Sequence, residues 1–248
     1  MDRKEDNKDV TAVIPAYNEA ERLPGVLDVM VGYPGFHEII IVDDGSTDDT
    51  YNIARKYGVK VLRHNEKMGK GKAIEDGIAA GSGGIIFSSD ADIKGLTHEM
   101  IDQIIAPVKN EDVDMFIGLQ DRQSFSIRPV LLFTPLLGGE RAFTRKLWNK
   151  IPHEYKERFK METALNFYAL HKGKSFRYRS FPGLGQTIKE QKYGFQRGLL
   201  SRLGMIRDIV SVNWDLHLGS FSFSALINRM MRSFATRLQS VNSKDKEF

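Results

Sequence analysis

The stretch IIIVDDGSTDDT, residues 39–50, decides the fold. Four branched apolar residues in a row are what a strand buried on both faces requires, as in a parallel sheet covered by helices on each side. The chain then turns abruptly polar, with Asp43 and Asp44, a Gly-Ser-Thr turn and two further acids. Carboxylates therefore emerge where a buried strand ends, and in open parallel sheets that end is where ligands sit.

Working outward, the same pattern repeats. Residues 10–15 (VTAVIP) read as a strand stopped by Pro15, and 19–31 as a helix entered through Asn18 as N-cap. Strand 38–43, helix 48–57, strand 59–63, helix 71–80 and strand 84–89 follow at the spacing of a mostly parallel α/β sheet flanked by helices. Three of these strands run into polar loops, PAYNE, DDGSTDD and SSDAD. Past residue 121 the alternation weakens; a helix at 161–171, a strand at 175–181, a loop FPGLGQ and helices at 194–213 and 222–239 are expected. With no internal repeat or low-complexity linker, the expected organisation is one domain over 1–190, divisible at 120, followed by a helical extension over 191–248.

A chain of 248 residues with 41% apolar side chains has enough material for a sizeable core. Cysteine is absent, which excludes disulfides and thiolate metal sites and is compatible with a reducing compartment. The opening MDRKEDNKD has no apolar signal region, and nowhere do 18 apolar residues run together, so a soluble or peripheral protein of the cytoplasm is expected. The net charge of +4 conceals an asymmetry: residues 1–120 carry −9 and residues 121–248 carry +13. One half suits a cation and the other an anion, which fits a substrate with phosphates, a nucleic acid or an anionic membrane surface.

Asp90 and Asp92 flank Ala91 at the end of GGIIFSSDAD. In extended backbone, residues two apart point to the same side, so both carboxylates can converge on one hard divalent ion such as Mg2+ or Mn2+. A lone D-x-D is a weak pattern; Asp43 and Asp44 after another buried strand strengthen it, because two acidic strand ends then face one crevice. MGKGKA, residues 68–73, sits between a strand and a helix, where Lys70 and the backbone around Gly69 and Gly71 can meet phosphate. It is not a Walker loop, since Lys72 is followed by Ala73. The six histidines, His37, His64, His98, His153, His171 and His217, have no metal-ligand spacing and read as surface or packing residues.

VIPAYNEAERL, IIIVDDGSTDDT, NEKMGKGKAIEDGI and IIFSSDAD stand in the order and spacing of a nucleotide-sugar glycosyltransferase of the GT-A fold, and the chain resembles family 2 of that group. PLLGGERAFTRKLW, residues 135–148, is similar to both the polyprenyl-phosphate sugar transferases and the glucosyl-3-phosphoglycerate synthases. The resemblance implies that residues 1–120 form a nucleotide-sugar half and 121–190 an acceptor half. Pro15, Ala16, Tyr17 and Glu19 would line the nucleoside pocket beside Asp43 and Asp44, with Asp44 accepting a hydrogen bond from base or ribose. Lys70, Gly71, Asp90 and Ala91 would meet the rest of the nucleotide; Asp92 and Asp90 would hold Mg2+ or Mn2+ on the diphosphate of a UDP-glucose or GDP-mannose type donor. Glu162, in ERFKMETALNFYALHKG on what reads as an amphipathic helix, matches the family's acceptor base and also suits a helix N-terminus as an acid. Gly139, Arg141 and Arg145 would grip an acceptor phosphate, or the arginines would be surface charges.

The chain departs from the phosphoglycerate synthases in one respect. Their late metal-binding histidine is missing from GLGQTIKEQKYG, where Gln191 stands nearest. Direct displacement with inversion follows from the family 2 motifs, while the synthase resemblance leaves retention open. Two other classes compete. A sugar-phosphate nucleotidyltransferase would carry a glycine-rich, arginine-containing loop where this chain has PAYNEAER, and a nucleic-acid-binding protein would leave the acidic strand ends without a purpose. Finally, Phe223, Leu226, Ile227, Met230, Met231, Phe234 and Leu238 share one helical face, with Arg229, Arg232 and Arg237 largely off it. This basic amphipathic helix suits packing on its own domain, a homodimer contact, or the inner face of the cell membrane.

Overall fold

The structure, a computed structural model, describes residues 7–120, 140–157 and 160–186. Gly139, Gln191 and the helices expected at 194–213 and 222–239 lie outside the described residues. The described part is a seven-stranded sheet in the order β3-β2-β1-β4-β7-β6-β8 with helices on both faces. In chain order the strands are β1 Val10–Ala16, β2 Glu38–Asp43, β3 Lys60–Arg63, β4 Ile85–Ser88, the short β5 Ile93–Lys94, β6 Met115–Gln120, β7 Glu140–Thr144, β8 Phe176–Phe181 and the short β9 Gly185–Gln186. The helices are α1 Leu23–Val31, α2 Thr50–Lys56, α3 Lys70–Ala80, α4 His98–Lys109, α5 Arg145–Asn149 and α6 Lys160–Lys172. Every pairing in the large sheet is parallel except those of β7, which runs antiparallel to β4 and β6. The start of β7 therefore lies at the carboxyl end of β4, with Arg141 opposite Ser88.

The opening stretch behaves as its composition demands, with Ile40, Ile41 and Val42 fully buried in β2. Alternate residues of β1 feed opposite layers. Ala12 and Ile14 pack with Leu23, Leu27 and Met30 of α1 and with Ile101 and Ile104 of α4. Val13 packs on the other face with Ile74 and Ile78 of α3, Leu147 of α5 and Leu165 of α6. Gly77 permits the close approach of α3, because a Cβ there would stand 2.4 Å from Val13 Cγ1.

Four local expectations are corrected. Pro15 does not end β1, which continues to Ala16. Val13 faces β4, since its carbonyl accepts from Ser89 N–H, so two residues on Pro15 turns its missing donor to a side where pairing with β4 has already stopped. Asn18 does not cap α1. It adopts φ 54°, its Oδ1 accepts from Thr47 N–H at 2.9 Å, and the helix begins at Leu23 with Pro24 in its first turn. Asp90 and Asp92 do not sit on extended strand, because β4 stops at Ser88 and a turn carries both acids. Lastly, α6 is not amphipathic at its start, for Met161 through Asn166 are all buried.

Candidate active site

The carboxyl ends of β1, β2, β3 and β4, the start of β7 and the first turn of α6 carry the chemistry. Asp43 is fully buried at the end of β2; its Oδ1 accepts from Ser46 N–H at 3.1 Å, and its Oδ2 lies 3.2 Å from Arg63 Nε. It fixes the turn at Gly45, whose φ of 74° and close approach to the Glu66 backbone exclude a side chain. With no exposed face, Asp43 anchors the loop that carries Asp44.

Asp44 clamps the glycine loop. Its Oδ1 accepts from Met68 N–H at 2.8 Å and its Oδ2 from Gly69 N–H at 2.8 Å. His64 Nδ1 also stands 2.8 Å from Oδ1, while His64 Nε2 faces Asp76 Oδ2 at 3.1 Å. Gly69, held at φ 98°, opens α3 and so sets the direction of Lys70. The Lys70 Nζ then lies 2.8 Å from Asp90 Oδ1 and 2.9 Å from Glu162 Oε1. Burial pulls its pKa down, but Asp90 and Glu162 outweigh burial and raise it above the ordinary lysine value.

Two further buried groups complete the cluster. Glu140, the first residue of β7, is fully buried, and among the described residues neither carboxyl oxygen has a hydrogen bond of good geometry. Burial first, and the nearby Asp90 second, push its carboxyl up to about 8, with Lys70 opposing. Arg141 is 1% exposed; burial lowers its pKa, and Glu162, Asp90 and Glu140 oppose the fall. Lys70 and Arg141 thus stand among the acids Glu140, Asp90 and Glu162, and opposite charge offsets part of the cost of burying each.

A raised folded pKa means that folding favours the protonated acid. The contribution is fully present below the ordinary value of 4.5 and is lost as pH rises through about 8. Glu140→Gln, which imitates the neutral acid, is therefore expected to match the wild type in thermal stability near pH 4.5 and to exceed it increasingly as pH rises to about 8. The wild-type decline due to this group has a limit of about 1.4 kcal/mol per pH unit. Parallel stability profiles for the two proteins from pH 4.5 to 8 would show that Glu140 is not held neutral by the fold.

The remaining candidates are placed as follows. Pro15 and Tyr17 are half-buried where β1 ends, Ala16 is buried beside them, and the Lys67 ammonium lies 3.7 Å from the Tyr17 ring centroid. Glu19 is buried in the same loop, its N–H donating to Thr50 Oγ1 at 2.8 Å and its Oε2 accepting from Arg22 at 3.3 Å. Gly71 is buried in the first turn of α3, and Ala91 and Asp92 are buried in the turn after β4.

Arg145 does not join Arg141 at the site. It is buried, with Nε donating to Gly83 O at 2.7 Å and Nη1 to Ile78 O at 2.8 Å. Gly83 precedes β4, so Arg145 holds the amino end of that strand while Asp90 follows the carboxyl end. Strand β7 separates the two arginines to opposite ends of the sheet, and Arg145, bonded to two backbone carbonyls, is a buried guanidinium rather than a surface charge.

Sequence reasoning missed His64, Lys67 and the burial of Glu140. For His64 a signal existed: Asp43 pairs with Arg63 in register, so the residues that follow each, Asp44 and His64, leave adjacent strands side by side. Nothing local marked Glu140, whose neighbours come from β4, α3 and α6.

An α/β sheet with an acidic, cation-bridged cluster at the carboxyl ends of its strands defines an open α/β ligand-binding architecture, and relatives identify which. Residues 11–181 match glycosyl transferase family 2, and the chain belongs to that family. It is a glycosyltransferase. It is 32% identical over 201 residues to a Methanocaldococcus jannaschii protein described as uncharacterized protein MJ1222, covering 71% of this chain and 81% of that one. It is 40% identical over 101 residues to the dolichyl-phosphate beta-glucosyltransferase of Homo sapiens, a match that covers 34% of this chain and 31% of the human protein. The crystal structure of glucosyl-3-phosphoglycerate synthase from Mycobacterium tuberculosis, in complex with Mn2+, UDP and phosphoglyceric acid, superposes with a TM-score of 0.70 at 21% identity, covering 87% of this chain and 80% of that one. The fold is therefore that of the GT-A glycosyltransferases.

Proposed function

We propose that this chain moves a sugar from a nucleoside diphosphate sugar to a phosphate-bearing acceptor. The observation that carries the reading is the Lys70 bridge, which ties Asp90, after a strand of the nucleotide half, to Glu162, on a helix of the acceptor half, at 2.8 and 2.9 Å. A donor carboxylate and an acceptor carboxylate on one ammonium put both substrates within reach of each other. Relatives support the substrate classes: a dolichyl-phosphate glucosyltransferase, a dolichol-phosphate mannosyltransferase from Pyrococcus furiosus, and a synthase crystallised with UDP and phosphoglyceric acid.

The residues fit a divalent cation of the Mg2+ or Mn2+ type. Asp90 and Asp92 offer hard carboxylate oxygens in one turn, the donor type that such an ion takes alongside phosphate and water. Such an ion would neutralise charge on the diphosphate leaving group. Neighbouring structures hold Mn2+ or Mg2+. Gln191 is the remaining ligand candidate.

Around that ion the protein's own groups divide the work. Pro15, Ala16, Tyr17 and Glu19 form the nucleoside wall, and Lys67 over Tyr17 adds a cation beside it. Asp44 keeps an acceptor position on Oδ2 for base or ribose and fixes the loop that aims Lys70. Glu162 takes the proton of a hydroxyl acceptor or, for an acceptor phosphate already ionised, orients it with Lys70. Gly139 and Arg141 belong to the acceptor side.

Residues 1–190 would form the catalytic domain and 191–248 a helical extension that brings it to the inner face of the membrane, to a partner copy, or back onto its own surface. No helix among the described residues is long and apolar enough to cross a membrane. The test is incubation with UDP- and GDP-sugars plus Mg2+ or Mn2+, with nucleotide release read with and without polyprenyl phosphate or phosphoglycerate. Release that rises with one donor and one acceptor supports the reading, and no acceptor-dependent release from any donor overturns it.

A further inference from the structure

At the amino ends of the strands, opposite the cluster just described, lies a second concavity of about 350 Å³. Six ammonium-bearing side chains line it, Lys8, Lys109, Lys146, Lys150, Lys172 and Lys174. They come from five places in the chain: the residues before β1, the end of α4, α5 and the residue after it, the end of α6 and the residues before β8. All six are exposed. Only two acids stand among them, Glu111 and Asp114.

The first question is whether these lysines merely serve the fold. Some do. Lys8 pairs with Glu111 at 2.9 Å and Lys174 with the same carboxylate at 3.8 Å, while Lys150 donates to Lys172 O at 2.8 Å, at the end of α6. Asp114 is occupied by Lys174 N–H at 2.6 Å and has no lysine ammonium bonded to it. The C-termini of α4 and α6 face this end and contribute about half a negative charge each. Set against six ammonium groups, two acids and two helix ends leave a surplus of about three positive charges. Lys109, Lys146 and Lys172 have no ion pair or side-chain hydrogen bond among the described residues, so helix-end compensation does not account for them.

We infer that this concavity is a second binding site, for a ligand bearing several phosphate oxyanions. Clustered ammonium groups repel one another, and a polyanion relieves that repulsion while making charge-assisted hydrogen bonds to each of them. The volume lies in the range of small-molecule sites rather than flat surfaces. The ligand is either a free polyphosphorylated metabolite or the headgroup of an anionic lipid; the recognising chemistry is the same. The inference does not depend on the sugar-transfer reading, since no residue is shared with the acidic cluster.

Titration calorimetry of the full chain with tripolyphosphate, in EDTA and low salt, tests it. The expected result is saturable binding that weakens as salt rises. Binding should be at least tenfold weaker in Lys109→Ala/Lys146→Ala/Lys172→Ala and unchanged in Lys56→Ala, an exposed lysine of α2 that does not line the concavity. Lys146→Glu alone serves as a second variant, and matching melting temperatures show that each protein is folded. In a parallel arm, sedimentation with phosphatidylglycerol vesicles that the triple substitution abolishes, without tripolyphosphate binding, identifies lipid as the source. Failure of the wild type to bind either probe overturns the inference, as does binding of both probes by the triple variant with wild-type strength.

Discussion

Glu162→Gln is expected to lower turnover by about 10²–10⁴-fold while donor affinity stays within a few-fold of the wild type. The amide preserves shape and still offers Lys70 an oxygen, so the 2.9 Å contact can persist and the cluster need not repack. What disappears is the negative charge and the capacity to take a proton. Lys70 keeps its contact with Asp90 at 2.8 Å, so the groups that face the donor are undisturbed. Steady-state kinetics with a hydroxyl acceptor, together with calorimetric titration of the nucleotide, separates the two effects. A variant that loses donor affinity but turns over normally at saturation would place Glu162 in the nucleotide pocket instead.

Asp92→Asn is expected to cost about 10³-fold or more in transfer at saturating Mg2+ or Mn2+. Replacing a carboxylate by an amide removes formal charge from a hard-ion site, and metal stabilisation of leaving-group charge is worth several kcal/mol, of which each ~1.4 is tenfold in rate. Asp92 is buried in the turn after β4, so unfolding must be distinguished from lost chemistry. Thermal melting supplies that control, and titration of Mn2+ by its electron paramagnetic resonance signal supplies a readout independent of turnover. Unchanged Mn2+ affinity with near-normal turnover would remove Asp92 from the metal site.

The nucleotide half was legible because its signals are local. Runs such as 39–42 are apolar enough to specify burial on both faces, and the polar loops that follow state where each strand stops. Reading failed where a local rule was overruled by a neighbour. Pro15 is tolerated because pairing on its donor side has ended, and Asn18 is recruited by Thr47 across the crevice rather than by its own helix. The start of α6 holds Glu162 in a buried position that no helical periodicity marks as interior, because its carboxylate meets Lys70 and not an apolar layer.

By itself the sequence determined the α/β class, the strands whose carboxyl ends carry the chemistry, the acids that stand there and the glycosyltransferase family. Only the tertiary structure decided which charges meet. Lys70 and Glu162 are 92 residues apart, and the Lys70 bridge exists because Asp44 pins the loop that aims α3 at the first turn of α6. Arg141 and Arg145 stand four positions apart in sequence, yet an antiparallel strand delivers one to the buried acids and the other to the opposite end of the sheet. The same holds for Glu140, whose carboxyl the fold encloses beside Asp90 and Lys70, and for six lysines drawn from distant segments around one concavity. Hydrophobic burial follows from periodicity along the chain, whereas charge partnership is a through-space property fixed only when the sheet has set its register.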